Sequence, residues 1–258
     1  MCEMLGISAK RRIRANDILR EFYSHADRHP HGWGLAMFND AGAPDIEKEA
    51  VKATESKYLK KRLAEPIEES VLLAHIRLAT VGHLEYRNSH PFVAADNCGR
   101  IWTLEHNGTI FNGAELNRYI GLQFGSTDSE RILLHLVDIV NERQIRHGRA
   151  LDWKERFAAL DDLVGELAGG NKLNLLVYDG EILYAHTNFR GSLHVRVDDG
   201  ALVFSTNPLS GAGWEPLPLT RLVAAKDGRI VREGAAHDKE YIYNPNDYRF
   251  LYMDFATL

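Results

Sequence analysis

Cysteine occupies position 2, directly behind the initiator methionine, in the opening stretch MCEMLGIS. Cysteine is small enough for the methionine to be removed, so Cys2 is expected to head the mature chain. One residue would then carry both a thiol and a free α-amine. A thiol titrates near about 8.5 and needs a base, and an α-amine at about 7.7–8.0 can act as one at neutral pH. Together they make a nucleophile with its own general base. The alternative is an ordinary second residue, and these eight residues do not decide between the two.

Four further stretches carry groups that could work with such a thiol. Arg77 opens RLAT behind an apolar run. Its forked guanidinium suits a carboxylate, although a surface arginine at a strand end has the same local sequence. HNG, residues 106–108, follows a second apolar run. The Asn107 amide and the Gly108 N–H could be two donors to an oxyanion, and Asn-Gly is equally a common turn. Asp128 lies in STDSE, where it could receive an ammonium or simply complement the dipole of a helix capped by Thr127. His90, before Pro91 in SHPF, could orient a loop or a ligand, or could be structural. Taken together, a thiol with a base, two oxyanion donors, a carboxylate clamp and an ammonium acceptor are what cleavage of a γ-glutamyl amide requires.

These groups need elements to hold them. Met4, Leu5 and Ile7 predict a short buried strand behind Cys2. Helical spacing covers 16–25, and strands are expected at 35–38, 50–54, 71–76 and 101–104. Gly32 and Gly34 flank Trp33, which suggests close backbone approach there. Residues 56–63 read as a helix with Ser56 as N-cap, and 113–122 as another helical stretch. Thr127 and Glu130 form a capping box ahead of an apolar helical face from Ile132 to Val140. A further helix over 151–168 closes on Gly169–Gly170. Strands at 173–178, 182–186, 193–197, 202–205, 222–226 and 229–232 follow, several divided by DG-type turns. An aromatic-rich tail begins at His237 and is expected to pack on the body. Strands, two helices and strands again, without βαβ alternation, predict antiparallel sheets with helices on their outer faces.

Composition narrows the function classes. The 258 residues are 45% hydrophobic and 26% charged, which suits one globular domain over residues 1–258. A net charge of −5 argues against nucleic acid or an anionic membrane as the main partner. No apolar run or leader-like N-terminus suggests a membrane span or a signal peptide. With only Cys2 and Cys98 there is no disulfide framework, so the cytoplasm is the expected compartment and Cys98, in DNCGR, is given a structural role. His25, His29 and His31 match no standard metal-ligand spacing and read as a Pro-containing loop.

The order of motifs resembles the class II glutamine amidotransferases, the N-terminal-nucleophile hydrolases headed by cysteine. MC at 1–2, HGWG at 31–34, HIRLATVG at 75–82, NSHPF at 88–92, EHNG at 105–108 and STDSE at 126–130 carry the resemblance over the first half of the chain. It implies an α+β fold, a four-layer αββα sandwich of two antiparallel sheets. It also implies Cys2 as nucleophile with its α-amine as base, and Asn107 and Gly108 as the oxyanion hole. Arg77 and Asp128 would hold the substrate's α-carboxylate and α-ammonium, and Thr80 would belong to the segment closing over it. No metal or organic cofactor is implied. Family members with sugar-phosphate acceptors often place tryptophan after the arginine and histidine after the threonine, where this chain has Leu78 and Val81. The chain looks most similar to stand-alone members, and FSTNPL at 204–209 points to the subgroup that includes γ-glutamyl hydrolases of thiol metabolism. The expected substrate is glutamine, with a separate synthase chain as a candidate ammonia acceptor, or a γ-glutamyl peptide or thiol conjugate. A non-catalytic binding module is the third reading.

Overall fold

The computed structural model describes residues 2–247. The chain opens with β1 (Glu3–Arg14), α1 (Asn16–Ser24), β2 (Trp33–Phe38), β3 (Pro44–Glu49), α2 (Lys57–Arg62), β4 (Glu68–Ile76), β5 (Phe92–Ala95) and β6 (Ile101–His106). Two long helices follow, α3 (Asp128–His147) and α4 (Trp153–Leu167). The second half is β7 (Leu175–Tyr178), β8 (Leu183–His186), β9 (His194–Asp198), β10 (Ala201–Ser205), β11 (Trp214–Pro216), β12 (Leu222–Lys226) and β13 (Arg229–Glu233).

The strands form two sheets, ordered β11-β9-β10-β1-β4-β2-β3 and β13-β12-β8-β7-β6-β5. All the pairings are antiparallel. Alternation along each strand sends successive side chains to opposite faces, which sorts the core into three clusters. Leu5, Ile7, Leu72 and Ala74 face outward onto Leu19, Phe22 and Leu59 of α1 and α2. Trp102, Leu104, Leu175 and Val177 face outward onto Leu133, Leu136, Leu160 and Leu163 of α3 and α4. Met4, Leu73, Leu176, Leu183 and Phe204 fill the space between the sheets. Helix, sheet, sheet and helix make the four-layer αββα sandwich that the resemblance implies. No helix among the described residues is long and apolar enough to cross a membrane.

Several local readings hold. Ser56 Oγ accepts the Leu59 N–H at 2.9 Å and caps α2. Asp152 and Glu155 form a full capping box on α4, one the sequence reading passed over. Thr127 caps α3, but the Glu130 carboxylate accepts the N–H groups of Phe124 and Gly125 instead of reaching back to Thr127.

Other readings need correction. The opening strand is long, because residues beyond Ser8 pair with Glu68 and Glu69 of β4 after a register shift. Ladder hydrogen bonds do not require apolar side chains, so the polar segment still forms strand. No strand lies at 50–54: Ala53–Glu55 is a 3₁₀ turn, and the strand in that region is β3. Within 113–122 only a 3₁₀ segment, Ala114–Tyr119, forms. Strands β3, β5 and β11 went unread, being short or polar. Cys98 is an exposed free thiol, so its turn is structural but its side chain is not. Of the tail, Tyr241 packs with Phe111 and Phe189, and the part beyond 247 lies outside the described residues.

Gly34 locks two of the motif segments together. A Cβ built there would fall 1.8 Å from the His90 carbonyl oxygen and 3.0 Å from Pro91 Cδ. Both neighbours are buried, so Gly34→Ala must push the SHPF loop off β2. We expect a loss of about 2 kcal/mol or more, and a Tm lower by roughly 4–8 °C in a thermal melt.

Candidate active site

Antiparallel pairing of β1 with β4 continues to Glu3 opposite Ile76. Cys2 and Leu78 therefore leave the sheet side by side. The Leu78 N–H donates to Cys2 Sγ at 3.3 Å, and the thiol lies 3.4 Å from the Leu78 carbonyl oxygen. Burial pushes the thiol pKa up, while the Leu78 N–H and the charges of Arg77 and Lys172 pull against it. The thiol thus stays protonated at neutral pH until a base removes the proton.

Arg77 is buried and spends its guanidinium on its own loop. Nη1 donates to the His83 carbonyl at 3.0 Å, and Nη2 to those of Val81 and Gly82 at 3.0 and 3.2 Å. The loop is fastened elsewhere too. The Ala79 N–H donates to His31 Nδ1 at 2.9 Å, and Thr80 Oγ1 lies 3.2 Å from Thr109 Oγ1. Asn88 ties it to the start of α3, donating to the His83 carbonyl and to Ser126 Oγ and accepting the Ser126 N–H. HGWG, NSHPF and STDSE thus share the work of shaping the RLAT loop.

The HNG turn leaves β6 on the same side of the molecule. The Asn107 N–H donates to the Asn174 carbonyl and the Thr109 N–H to the Lys172 carbonyl. Alternate N–H groups along extended backbone point to opposite edges, so the Gly108 N–H points away from that segment. It has no acceptor among the described residues. Asn107 Nδ2 donates to Thr206 Oγ1 at 3.3 Å, and its Oδ1 accepts from Lys172 Nζ at 3.2 Å. Thr206 Oγ1 also accepts the Met4 N–H at 3.0 Å, which ties the turn to the Cys2 strand.

Asp128 is buried in the first turn of α3. Its Oδ2 accepts the Ile110 N–H at 2.9 Å and its Oδ1 the Ser129 N–H at 3.0 Å. Its charge and that of Cys2 both bear on Arg77, whose pKa burial lowers.

Cys2, Arg77, Thr80, Asn107, Gly108 and Asp128 therefore lie in one connected region. Cys2 meets the residue after Arg77, Thr80 meets the residue after Gly108, and Asp128 holds Ile110. Cys2 and Asn107 line a single cleft of about 330 Å³ with Arg28, His29, Lys172, Ser192, Thr206 and Asn207. His90 has a structural place: it is buried, stacked on His75 at 4.0 Å and packed edge-on to Phe92. His25 and His29 flank the buried Glu3 carboxylate, at 2.9 and 3.7 Å. Among the described residues no cluster of three or more His, Cys, Asp or Glu could hold a metal ion.

Three residues of this region escaped the sequence reading. Lys172 precedes a strand and reads as a solvated lysine. Thr206 lay in FSTNPL, quoted without a role. Glu3, next to Cys2, stands in no motif of its own. Their burial comes from strands far apart in sequence, so no local pattern announces it.

The thiol, the carboxamide, the outward N–H, the buried arginine and the buried carboxylate thus lie where the ends of β1, β4 and β6 meet the start of α3. Residues 1–198 match the family of glutamine amidotransferases, class-II. The chain belongs to that family of N-terminal-nucleophile enzymes, which act on the glutamine amide. An uncharacterized protein of Methanocaldococcus jannaschii is 29% identical over 261 residues, covering 90% of this chain and 71% of that one. The γ-glutamyl-hercynylcysteine sulfoxide hydrolase of Mycolicibacterium smegmatis is 27% identical over 210 residues, covering 80% and 82%. In fold, the chain is similar to the glutamine phosphoribosylpyrophosphate amidotransferase of B. subtilis, with a TM-score of 0.66 at 16% identity. That match covers 90% of this chain, which spans about half (48%) of the larger enzyme.

Proposed function

We propose that the chain hydrolyses a γ-glutamyl amide, glutamine first among candidates, through a thioester on Cys2. The observation that carries this reading is the meeting of the Cys2 thiol and the Asn107 carboxamide in one cleft. After loss of Met1, the Cys2 α-amine takes the thiol proton and the thiolate attacks the amide carbon. Asn107 Nδ2 and the Gly108 N–H stabilise the tetrahedral oxyanion. As the C–N bond breaks, the α-amine returns its proton to the departing nitrogen, leaving ammonia and a γ-glutamyl thioester. The amine then deprotonates a water, which attacks the thioester and frees glutamate and the thiol. Asp128 takes the substrate ammonium and Arg77 its α-carboxylate. For Arg77 this means exchanging carbonyl partners at 81–83 for the ligand, and Thr80 moves with that loop. A separate synthase chain is the ammonia acceptor under this reading, and a free catalytic thiol suits the reducing cytoplasm.

A second reading rests on the size of the cleft. About 330 Å³ beside Cys2, lined by Arg28, Ser192 and Asn207, leaves room for a leaving group larger than ammonia. This favours a γ-glutamyl peptide or thiol conjugate, the substrate type that the M. smegmatis relative's name records. The two readings share all the catalytic steps. Steady-state ammonia release from glutamine, set beside amine release from γ-glutamyl peptides, separates them. A kcat/KM at least about tenfold higher for glutamine supports the first and the reverse ratio the second, since tenfold is only about 1.4 kcal/mol of transition-state preference. No release from either substrate class would refute both.

A further inference from the structure

Lys172 is a lysine where lysines are rarely found. It is 1% exposed, yet it lines the cleft that holds Cys2. Lysine is almost never fully buried without a partner. Its Nζ donates to Asn107 Oδ1 at 3.2 Å and lies 5.4 Å from the centre of the Phe189 ring. Its backbone is held to the same turn: its carbonyl accepts the Thr109 N–H at 3.1 Å, and its own N–H donates to the Thr109 carbonyl at 3.2 Å.

We propose that Lys172 is a positioning residue, whose ammonium fixes the Asn107 carboxamide with its N–H groups turned toward the oxyanion. This rests on the reading of Asn107 as an oxyanion donor. Below its pKa the group is an ammonium that can only donate, which sets the amide oxygen on its own side and the amide nitrogen on the other. There one N–H goes to Thr206 Oγ1. The second N–H is left for a ligand. Without Lys172 the carboxamide could flip and present an oxygen to the oxyanion, which would repel it.

Several titratable groups among the described residues lie near Lys172. Cys2, just before β1, and Glu3 at its start line the same cleft, as do Arg28 and His29 from the turn after α1, and His106 of β6 interacts with Lys172 through its charge. Burial drags the Lys172 pKa down to about 7, with the Cys2 anion pulling the other way. Holding this charge in the fold therefore costs stability. The cost is complete below pH 7 and fades as pH rises toward the unfolded value of about 10.4.

The test uses the full-length mature protein with glutamine and with γ-glutamyl-p-nitroanilide. Lys172→Met should lower kcat roughly 10- to 100-fold with KM changed by less than about threefold. Lys172→Gln keeps a donor and should recover part of that loss. In Asn107→Ala, adding Lys172→Met should cost nothing more. Melting curves check folding, and the Lys172→Met melting temperature relative to wild type should be higher at pH 6 than at pH 9. Full kcat in a folded Lys172→Met protein, or losses that multiply in the double variant, would overturn the proposal while leaving the hydrolase reading intact. Wild type that turns over neither substrate would overturn that reading and this proposal with it.

Discussion

Cys2→Ala is expected to lose at least about 10⁴-fold in kcat/KM, because it removes the proposed nucleophile. What remains is binding and oxyanion stabilisation without a nucleophile. Stability should hardly move. The residue is half-buried just before β1, and among the described residues its thiol hydrogen-bonds only with Leu78, at 3.3 and 3.4 Å. A Tm within a few degrees of wild type, together with lost turnover, separates chemistry from folding. Cys2→Ser is the sharper comparison. It keeps shape and the α-amine, but a hydroxyl is far harder to ionise in a desolvated site, so most of the loss should persist. Unchanged turnover in Cys2→Ala would leave the enzyme reading without its nucleophile.

Gly108→Ala is the second large effect, and its cause is steric. A Cβ at 108 would fall 1.9 Å from the Lys172 carbonyl oxygen and 2.3 Å from His106 Nε2. Neither neighbour can retreat cheaply. The carbonyl accepts the Thr109 N–H, and His106 is fully enclosed with its Nδ1 3.0 Å from Ser129 Oγ. The turn must open, which carries the Gly108 N–H and the Asn107 amide away from the cleft. Both proposed oxyanion donors shift at once, so kcat should fall about 10³-fold or more, beyond the 10²–10³ of a single lost donor. The melting temperature should fall as well. Gly165→Ala is the matched control. A Cβ there meets nothing within 4 Å, and in the last turn of α4 it should stabilise by roughly 0.5 kcal/mol with activity unchanged.

The part of the site that could be read from sequence lies where residue type and chemistry coincide. Cys2, Arg77, Asn107, Gly108 and Asp128 sit directly at the ends of strands or at a helix start, so their motifs also mark where the chain leaves an element. The layers were legible for a similar reason: β4, β6 and α3 have strong apolar patterns. Strand β3, PDIEKE at the sheet edge, is mostly charged and gave no such signal. The extension of β1 past Ser8 depends on its partner β4 rather than on its own side chains. Lys172 and Thr206 were invisible for a deeper reason. They reach Asn107 from 65 and 99 residues away, and only the packing of the two sheets makes them neighbours.

Cys2, as the first residue of the mature chain, is proposed to carry the γ-glutamyl group during turnover. The most direct measurement is the mass of the N-terminal peptide after acid-quenching the protein during turnover of glutamine. The expected peptide begins at Cys2, gains the mass of one γ-glutamyl group, and loses it on treatment with hydroxylamine, as a thioester does. An adduct on another residue, or active protein that retains Met1, would contradict the account.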